Sequence, residues 1–206
     1  MTRSVNLQAS NCQPRSIKLL FVGSSGSGKT TALNTLSQGK CISTEVHPSD
    51  SVQLYKRYTT VAMDYAKVQF SRRLQLHLYG SPGQRRFAFM HTILRKNAQG
   101  LIIMVNNAQG DPFKEVAYYL DQHYDFLQHH QAVIGVTHND QRPQPSLRQY
   151  RHFLNDLGYA WPILKVDARQ TVDMLELLSV LLEQVSPLTL RYFAPCSSAV
   201  SRPVTA

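Results

Sequence analysis

The chain has 206 residues, of which 43% are hydrophobic, and this length favours one buried core and a single domain. The net charge of +9 allows a nucleic-acid or anionic-membrane partner, but the sequence has no evident basic stripe with interleaved aromatic residues. We therefore expect a solvated basic surface and no nucleic-acid partner. Membrane-span and signal-peptide patterns are absent, which favours a cytoplasmic location, and three scattered cysteines argue against disulfides or a zinc site.

Residues 1–15 are polar and predict a flexible arm, and residues 187–206, rich in Ser, Pro and Ala, predict a flexible tail. Between them, residues 16–186 alternate short apolar runs with amphipathic segments, which predicts one α/β domain with a mostly parallel six-stranded sheet and helices on both faces. The polar stretch 38–58 is too long for an ordinary connection and predicts a functional or mobile loop. The predicted strands are 17–22, 60–70, 74–79, 101–105, 132–136 and 163–166, and the predicted helices are 30–37, 86–97, 113–130, 147–157 and 172–185.

A glycine-rich loop of the form G-x-x-x-x-G-K-[ST] lies between the first predicted strand and the first predicted helix. Its glycines allow the backbone to fold around phosphates with N–H groups pointing inward, and the helix N-terminus adds a favourable dipole. We expect Lys29 to bridge the β- and γ-phosphates and Thr30 to ligate Mg²⁺, so the chain should bind a nucleoside triphosphate with that metal. The predicted nucleotide contacts here are Gly23, Ser24, Ser25, Gly26, Ser27, Gly28, Lys29, Thr30 and Thr31.

Two segments after the long loop are suited to sense the γ-phosphate. Thr60 opens the predicted hairpin, so its hydroxyl is expected to reach the metal; Thr59 is the competing choice, and a simple strand preference of threonine is the alternative. Residues 81–84 read Ser-Pro-Gly-Gln at the end of the next strand. There Gly83 is expected to offer its N–H to the γ-phosphate and Gln84 to orient the attacking water, although an ordinary turn would have a similar composition.

Residues 137–140 read Thr-His-Asn-Asp and follow the strand 132–136, at the end where open α/β sheets bind ligands. An Asp140 carboxylate can accept hydrogen bonds from the N1–H and N2–H₂ groups of guanine, and adenine has no matching donors on that edge. The alternative is an aspartate that only caps the next helix.

Taken together, these motifs resemble those of Ras-superfamily small GTPases. More narrowly, Ser-Pro-Gly-Gln and Thr-His-Asn-Asp are similar to the motifs of the bacterial branch that includes MglA-type polarity and gliding GTPases. The resemblance implies GTP or GDP and Mg²⁺ as ligands, slow GTP hydrolysis in a regulatory switch, and protein effectors and regulators, among them a small Roadblock-fold partner. Residues 166–169 resemble the family's S-A-K loop, in which the N–H of Ala168 would contact the guanine O6.

The chain departs from the family pattern around the metal. Gly80 stands where the family has an aspartate that holds a metal-bound water, and glycine has no side chain to do so. Asp64 is a substitute, but its place on a predicted hairpin strand favours a surface residue. We therefore expect weaker metal binding.

Other departures concern the base and catalysis. Thr137 stands where the family has asparagine, and its hydroxyl could still link residues 137–140 to the glycine-rich loop at residues 23–30. His138 could lie along the guanine plane, or it could be an exposed loop residue. Ser25 stands where many members have glycine, which favours slow turnover. Arg57 or Arg85 could act as an arginine finger from the same chain and neutralise charge on the transferring phosphoryl group. For each of them, the alternative is an ordinary solvated surface residue.

Two other functions remain open from the residues alone: a scaffold that keeps its nucleotide without hydrolysis, and an ATP-dependent P-loop enzyme in which Asp140 is incidental. The sequence printed ends without a C-terminal prenylation motif, so no stable membrane anchor is expected.

Overall fold

The computed structural model describes residues 14–43 and 63–186. Most of the predicted arm, the predicted tail, and residues 44–62 with Arg57, Thr59 and Thr60 lie outside the described residues. Seven strands form one sheet: β1 Arg15–Val22, β2 Ile42–Ser43, β3 Asp64–Ser71, β4 Leu74–Gly80, β5 Gly100–Asn106, β6 Gln131–Thr137 and β7 Ile163–Lys165. Their order across the sheet is β2-β3-β4-β1-β5-β6-β7.

Helices cover both faces of this sheet. One hydrophobic cluster joins the sheet to helices α1 Lys29–Leu36 and α6 Thr171–Val185, and a second cluster lies on the other face. The helices on that second side are α2 Phe89–Arg95, α3 Pro112–Gln122, α4 Tyr124–Leu127 and α5 Leu147–Asp156. The predicted α/β class, a mostly parallel sheet flanked by helices, is confirmed.

Burial follows from the pattern of each strand. β5 and β6 are continuous apolar runs that are buried on both faces, as parallel central strands are. β3 and β4 pair as an antiparallel hairpin, and every second residue of β4 is buried because only one of its faces meets the core. The strands β4, β1, β5, β6 and β7 run parallel, so the loops that follow them emerge at one edge of the sheet.

The structure differs from the sequence prediction at three elements. A seventh strand, β2, has only two residues and pairs with β3 at the sheet edge, in a stretch predicted to be loop. The predicted helix 113–130 is two helices, because the buried residue His123 between them has non-helical backbone angles. The predicted helix 86–97 is a 3₁₀ turn, Arg85–Phe87, followed by α2.

Among the described residues, no helix combines the length and the apolar character that crossing a membrane requires.

Candidate functional site

Two adjoining pockets lie at the edge where the parallel strands end. Their volumes are about 340 and 460 Å³, and both are lined by Gly26, Gly28 and Thr31, so together they form one elongated site. The smaller pocket is also lined by Ser25, Lys29, Thr30, Ser43, Met63, Asp64, Gly80, Ser81, Pro82, Gly83, Gln84 and Phe87. The larger one adds residues 137–141, residues 165–169 and Asp173.

The loop between β1 and α1 surrounds the Lys29 ammonium group. Lys29 is 7% exposed, and its Nζ donates to the carbonyl oxygens of Gly23 at 2.7 Å and Ser24 at 2.8 Å. Burial lowers the pKa of Lys29 to about 8, against the opposing attraction of Asp64 and Glu115. A desolvated cation inside a ring of backbone groups is suited to bind an anion such as a phosphate.

Asp64 points into this pocket from the first position of β3. Its carboxylate accepts hydrogen bonds from the hydroxyls of Thr30 and Ser43, both at 2.5 Å, and the residue is only 8% exposed. The expectation that Asp64 is a surface residue is therefore wrong. That expectation followed the usual exposure of aspartate, whereas the strand pairing turns this side chain toward α1.

Gly80 lies directly opposite Asp64 in the β3–β4 pairing. A Cβ atom added at Gly80 would meet the Asp64 Cβ at 3.0 Å and its Oδ2 at 3.2 Å. The missing side chain at position 80 thus leaves the space that the Asp64 carboxylate fills. A carboxylate is present near Thr30, but it comes from the neighbouring strand.

The segment after β4 lies against the glycine-rich phosphate loop, residues 23–30. A Cβ atom at Gly83 would meet the backbone N of Ser25 at 2.4 Å, so only glycine fits this approach. Gln84 is exposed and lines the same pocket. The Arg85 side chain turns away toward α3, where it lies 3.6 Å from the carboxylate of Glu115 and packs over the ring of Tyr118.

The loop after β6 contacts the phosphate loop through Thr137. Thr137 is 2% exposed, and its hydroxyl oxygen lies 3.2 Å from the Ser27 carbonyl oxygen and 3.0 Å from that of Val105. The same oxygen lies 2.8 Å from Nδ1 of His138, whose φ of 56° is left-handed. One hydroxyl therefore links the two parts of the site.

The larger pocket combines exposed polar groups with a fixed loop wall. Asp140 is exposed on one side, and Ala168 stands on the other, where its carbonyl oxygen accepts a 2.8 Å hydrogen bond from the Thr35 hydroxyl on α1. Hydrogen bonds from Arg169 hold the pKa of Asp167 below its usual value. This pocket can bind a flat polar ring whose donors face Asp140.

Sequence reasoning missed the residues that support this loop. The Asn107 side chain is fully buried, and its Nδ2 donates to the carbonyl oxygens of Arg142 at 2.7 Å and Pro145 at 3.2 Å. The Tyr150 hydroxyl donates to Asn107 Oδ1 at 2.8 Å. No sequence signal identifies such a contact, because the partners are 35 to 43 residues apart.

The predicted site residues within the described ranges therefore lie around one cleft, with the phosphate-loop residues between the two pockets. Arg57 and Thr60 lie outside the described residues, so their predicted roles stay predictions. Across residues 14–43 and 63–186, no three His, Cys, Asp or Glu side chains converge as a metal cluster.

Comparison with known proteins gives the family. The family model for Roc (Ras of Complex, Roc, domain of DAPkinase) matches residues 18–140, more than half of the chain. The uncharacterized protein MJ1339 of Methanocaldococcus jannaschii is 30% identical over 94 residues, which are 46% of this chain and 53% of that protein. The chain thus spans about half the length of this relative. From the family match, the chain belongs to the Roc family and carries a Ras-superfamily GTPase domain.

Proposed function

We propose that the protein is a regulatory switch that binds GTP or GDP together with Mg²⁺ and hydrolyses GTP slowly without an activating partner. The observation that carries the proposal is the shared wall of the two pockets: Gly26, Gly28 and Thr31 line both, so one ligand can place phosphates beside Lys29 and a base beside Asp140. A triphosphate with a purine base has this extended form.

Base recognition is assigned to the larger pocket. Asp140 accepts from the guanine N1–H and N2–H₂ groups, while the N–H of Ala168 donates to the guanine O6. Thr137 and His138 position the base relative to the phosphate loop. The contact of the Thr137 hydroxyl with the Ser27 carbonyl oxygen supports this role. Because adenine offers no donors to Asp140, the site favours guanine.

Phosphate binding and hydrolysis are assigned to the smaller pocket. Lys29 leaves the carbonyl oxygens of Gly23 and Ser24 to bind the β- and γ-phosphates. Gly83 offers its N–H to the γ-phosphate, and Gln84 orients the attacking water. No arginine finger is assigned to Arg85, because its side chain lies against Glu115 and Tyr118.

The residues near Thr30 fit a magnesium ion. Hydroxyl and carboxylate oxygens are the donors that Mg²⁺ prefers, and Thr30 and Asp64 already lie within hydrogen-bond distance of each other. Thr30 would ligate the ion directly and Asp64 would hold one of its waters, with Thr60 as a further ligand in the predicted active state. When bound, the ion neutralises charge on the phosphates.

The protein is further proposed to be related to a particular bacterial branch of the Ras superfamily. Residues 81–84 and 137–140 support a relationship to MglA-type bacterial GTPases, which in turn suggests a Roadblock-fold partner. Residues 16–186 are taken as the GTPase domain, flanked by an arm and a tail, of a cytoplasmic protein.

Single-turnover hydrolysis by the purified protein tests the central step. We expect Gln84→Leu to slow phosphate release by about tenfold or more, because water loses its orienting group. The matched control Gln128→Leu alters an exposed glutamine that lines neither pocket, so this variant should release phosphate at the original rate. Unchanged release in Gln84→Leu would remove Gln84 from the mechanism.

Two further measurements separate the alternatives. Nucleotide that stays bound for many hours without hydrolysis would identify a scaffold instead of a switch. Equal competition of ATP and GTP for the site would identify an adenine-tolerant P-loop enzyme.

A further inference from the structure

Two buried histidines meet between α2 and the junction of α3 with α4. His91 on α2 is 4% exposed, and His123, the residue between α3 and α4, is fully buried. Their rings are stacked, with centroids 5.0 Å apart and planes 25° apart. The Tyr119 ring on α3 also packs against His91, and this tyrosine stays neutral because burial raises its pKa. None of the described residues forms a hydrogen bond with the four ring nitrogens of the two histidines, which is uncommon for buried polar atoms.

The surroundings keep both rings uncharged. Burial is the main reason that the pKa of each histidine lies below its usual value, and the pKa of His123 falls to about 3. His91 and Arg95 lower the pKa of His123 further, and Arg95 and Lys29 lower that of His91. The Pro82 carbonyl oxygen lies close to His91 and raises its pKa, but it is not aligned as a hydrogen-bond acceptor for the ring. Docking of the two rings therefore excludes protons.

The helix α2 is attached to the protein along one side. Beyond the ring contact of His91, Arg95 Nη1 donates to the Gln122 carbonyl oxygen at 3.1 Å. On the other side of the helix, Phe89 and Ile93 are 54% and 60% exposed. The histidine contact is thus a substantial part of what holds α2 against α3.

The same helix continues directly from the residues that line the phosphate pocket. The Gln84 carbonyl oxygen accepts from the N–H of Phe87 at 3.0 Å, and the Arg85 carbonyl oxygen accepts from the N–H of Ala88 at 3.0 Å. These bonds form the 3₁₀ turn that leads into α2. Because this hydrogen-bonded turn joins them, a displacement of α2 also displaces Gln84.

We propose that the His91–His123 contact docks α2 in the arrangement that places Gln84 in the phosphate pocket, and that protonation of the two rings in acid releases α2. In water each histidine titrates near pH 6.5, so the released helix takes up protons that the docked helix excludes. Docking is therefore favoured at neutral pH and weakens as the pH falls below about 6.5, by up to about tenfold per pH unit for each histidine. Both histidines are positioning residues, and their effect on hydrolysis rests on the function proposed above.

The ring geometry disfavours a metal ion as the reason for the pair. A metal ion lies in the plane of each imidazole that binds it, at about 2.0–2.1 Å from the nitrogen. Two stacked rings whose planes are only 25° apart cannot both direct a nitrogen toward one ion. The pair is therefore a packing contact whose strength depends on its charge.

Hydrogen exchange of the full-length protein in excess GDP tests the release of α2. Exchange is followed by mass spectrometry at pH 7 and pH 5.5 and corrected for the intrinsic effect of pH on amide exchange. We expect the protection of the α2 amides to fall about tenfold or more at the lower pH. The helix α6 contains no histidine and should keep its protection. Constant protection of α2, or an equal fall in α6, overturns the proposal.

Ring variants assign the effect to the pair. The double variant His91→Phe/His123→Phe keeps two aromatic rings but has no group to protonate, so its α2 protection should not depend on pH. His129→Phe alters an exposed histidine and should show the same acid loss as the unsubstituted protein. Acid loss that persists in the double variant overturns the proposal. If that variant does not fold, the comparison of α2 with α6 in the unsubstituted protein decides alone.

A pH profile of single-turnover phosphate release tests the link to Gln84. Release by the unsubstituted protein should slow about tenfold between pH 7 and pH 5.5, whereas release by the double variant should change less than about twofold. A purely structural role of the rings would give both proteins the same profile, and that result overturns the positioning role. Absence of hydrolysis at both pH values, with the expected loss of α2 protection, would reject the proposed GTPase function and leave the acid release of α2 established.

Discussion

The two ends of the proposed nucleotide site depart from the Ras pattern in different ways. At the phosphate end, position 80 has lost its carboxylate, and Asp64 supplies one from the opposite strand, 2.5 Å from the Thr30 hydroxyl. At the proposed base end, we assign Thr137 to the position of the family's asparagine, and its hydroxyl reaches the Ser27 carbonyl oxygen. In the β3–β4 pair, the carboxylate thus lies on the strand opposite the glycine. In the loop after β6, by contrast, the replacement side chain stays at the same position.

The two ends also differ in burial. Lys29 and Asp64 are 7% and 8% exposed, so their charges act in a poorly solvated environment. Asp140 in the larger pocket is exposed to water. We therefore expect mutations at the base end to change which nucleotide binds. At the phosphate end, titration or a change of charge should alter the affinity for every nucleotide.

The largest expected effect concerns base choice. Asp140→Ala removes the acceptor for two guanine donors, so the preference for GTP over ATP should fall by about 10³-fold or more. Competition of each triphosphate against labelled GDP measures it. Asp125→Ala, at an exposed aspartate on α4, should keep the original preference. An unchanged preference in Asp140→Ala would remove base reading from this end of the site.

A smaller effect concerns pH at the phosphate end. The pKa of Lys29 in the free protein is lowered to about 8, so the ammonium group is present below pH 8 and is lost as the pH rises through that value. Nucleotide affinity should therefore be constant below about pH 7.5 and then fall, approaching tenfold per pH unit. Titration of labelled GDP between pH 7 and 9 measures it. Lys29→Arg, which stays charged, should bind more weakly but without this decline, and a parallel decline would assign the titration to another group.

The smallest effect concerns the link between the two ends. Thr137→Val keeps the shape of the side chain but removes the hydroxyl near the carbonyl oxygens of Ser27 and Val105. We expect a loss of about 1 kcal/mol, or about fivefold in affinity, for GDP and GTP alike. Thr137→Ser should retain affinity. If Thr137→Val weakened GTP binding alone, the hydroxyl would act on the γ-phosphate instead of on the link.

Local patterns in the sequence explain most of the fold. Apolar runs predicted β1, β5, β6 and β7, and alternation predicted the β3–β4 hairpin, because these signals are contained within each segment. β2 was not predicted, since a two-residue strand has no period of its own. The break at His123 was also missed; this residue is buried and has non-helical backbone angles between α3 and α4.

The site is predictable to a different degree at its two ends. Motif spacing indicated the phosphate loop and residues 137–140 because each is one continuous segment. The position of Asp64 depends on strand register, which pairs it with Gly80 16 residues later in the chain. Lys18, Lys67 and His77 likewise become neighbours only when three strands align.

The central claim is that Asp64 performs the task of the carboxylate missing at position 80. Its most direct test is the Mg²⁺ affinity of the GDP complex in four proteins: unsubstituted, Asp64→Gly, Gly80→Asp, and the double variant that exchanges both residues. We expect Asp64→Gly to lose about tenfold or more in affinity. Gly80→Asp alone should gain nothing, because its Cβ would meet that of Asp64 at 3.0 Å and the two carboxylates would repel each other.

The double variant is the decisive measurement. If Asp64 replaces the missing group, exchanging the two residues restores the carboxylate to the same space, and Mg²⁺ affinity returns to within about threefold of the unsubstituted protein. Unchanged Mg²⁺ affinity in Asp64→Gly, or a double variant no better than that single variant, would contradict the account.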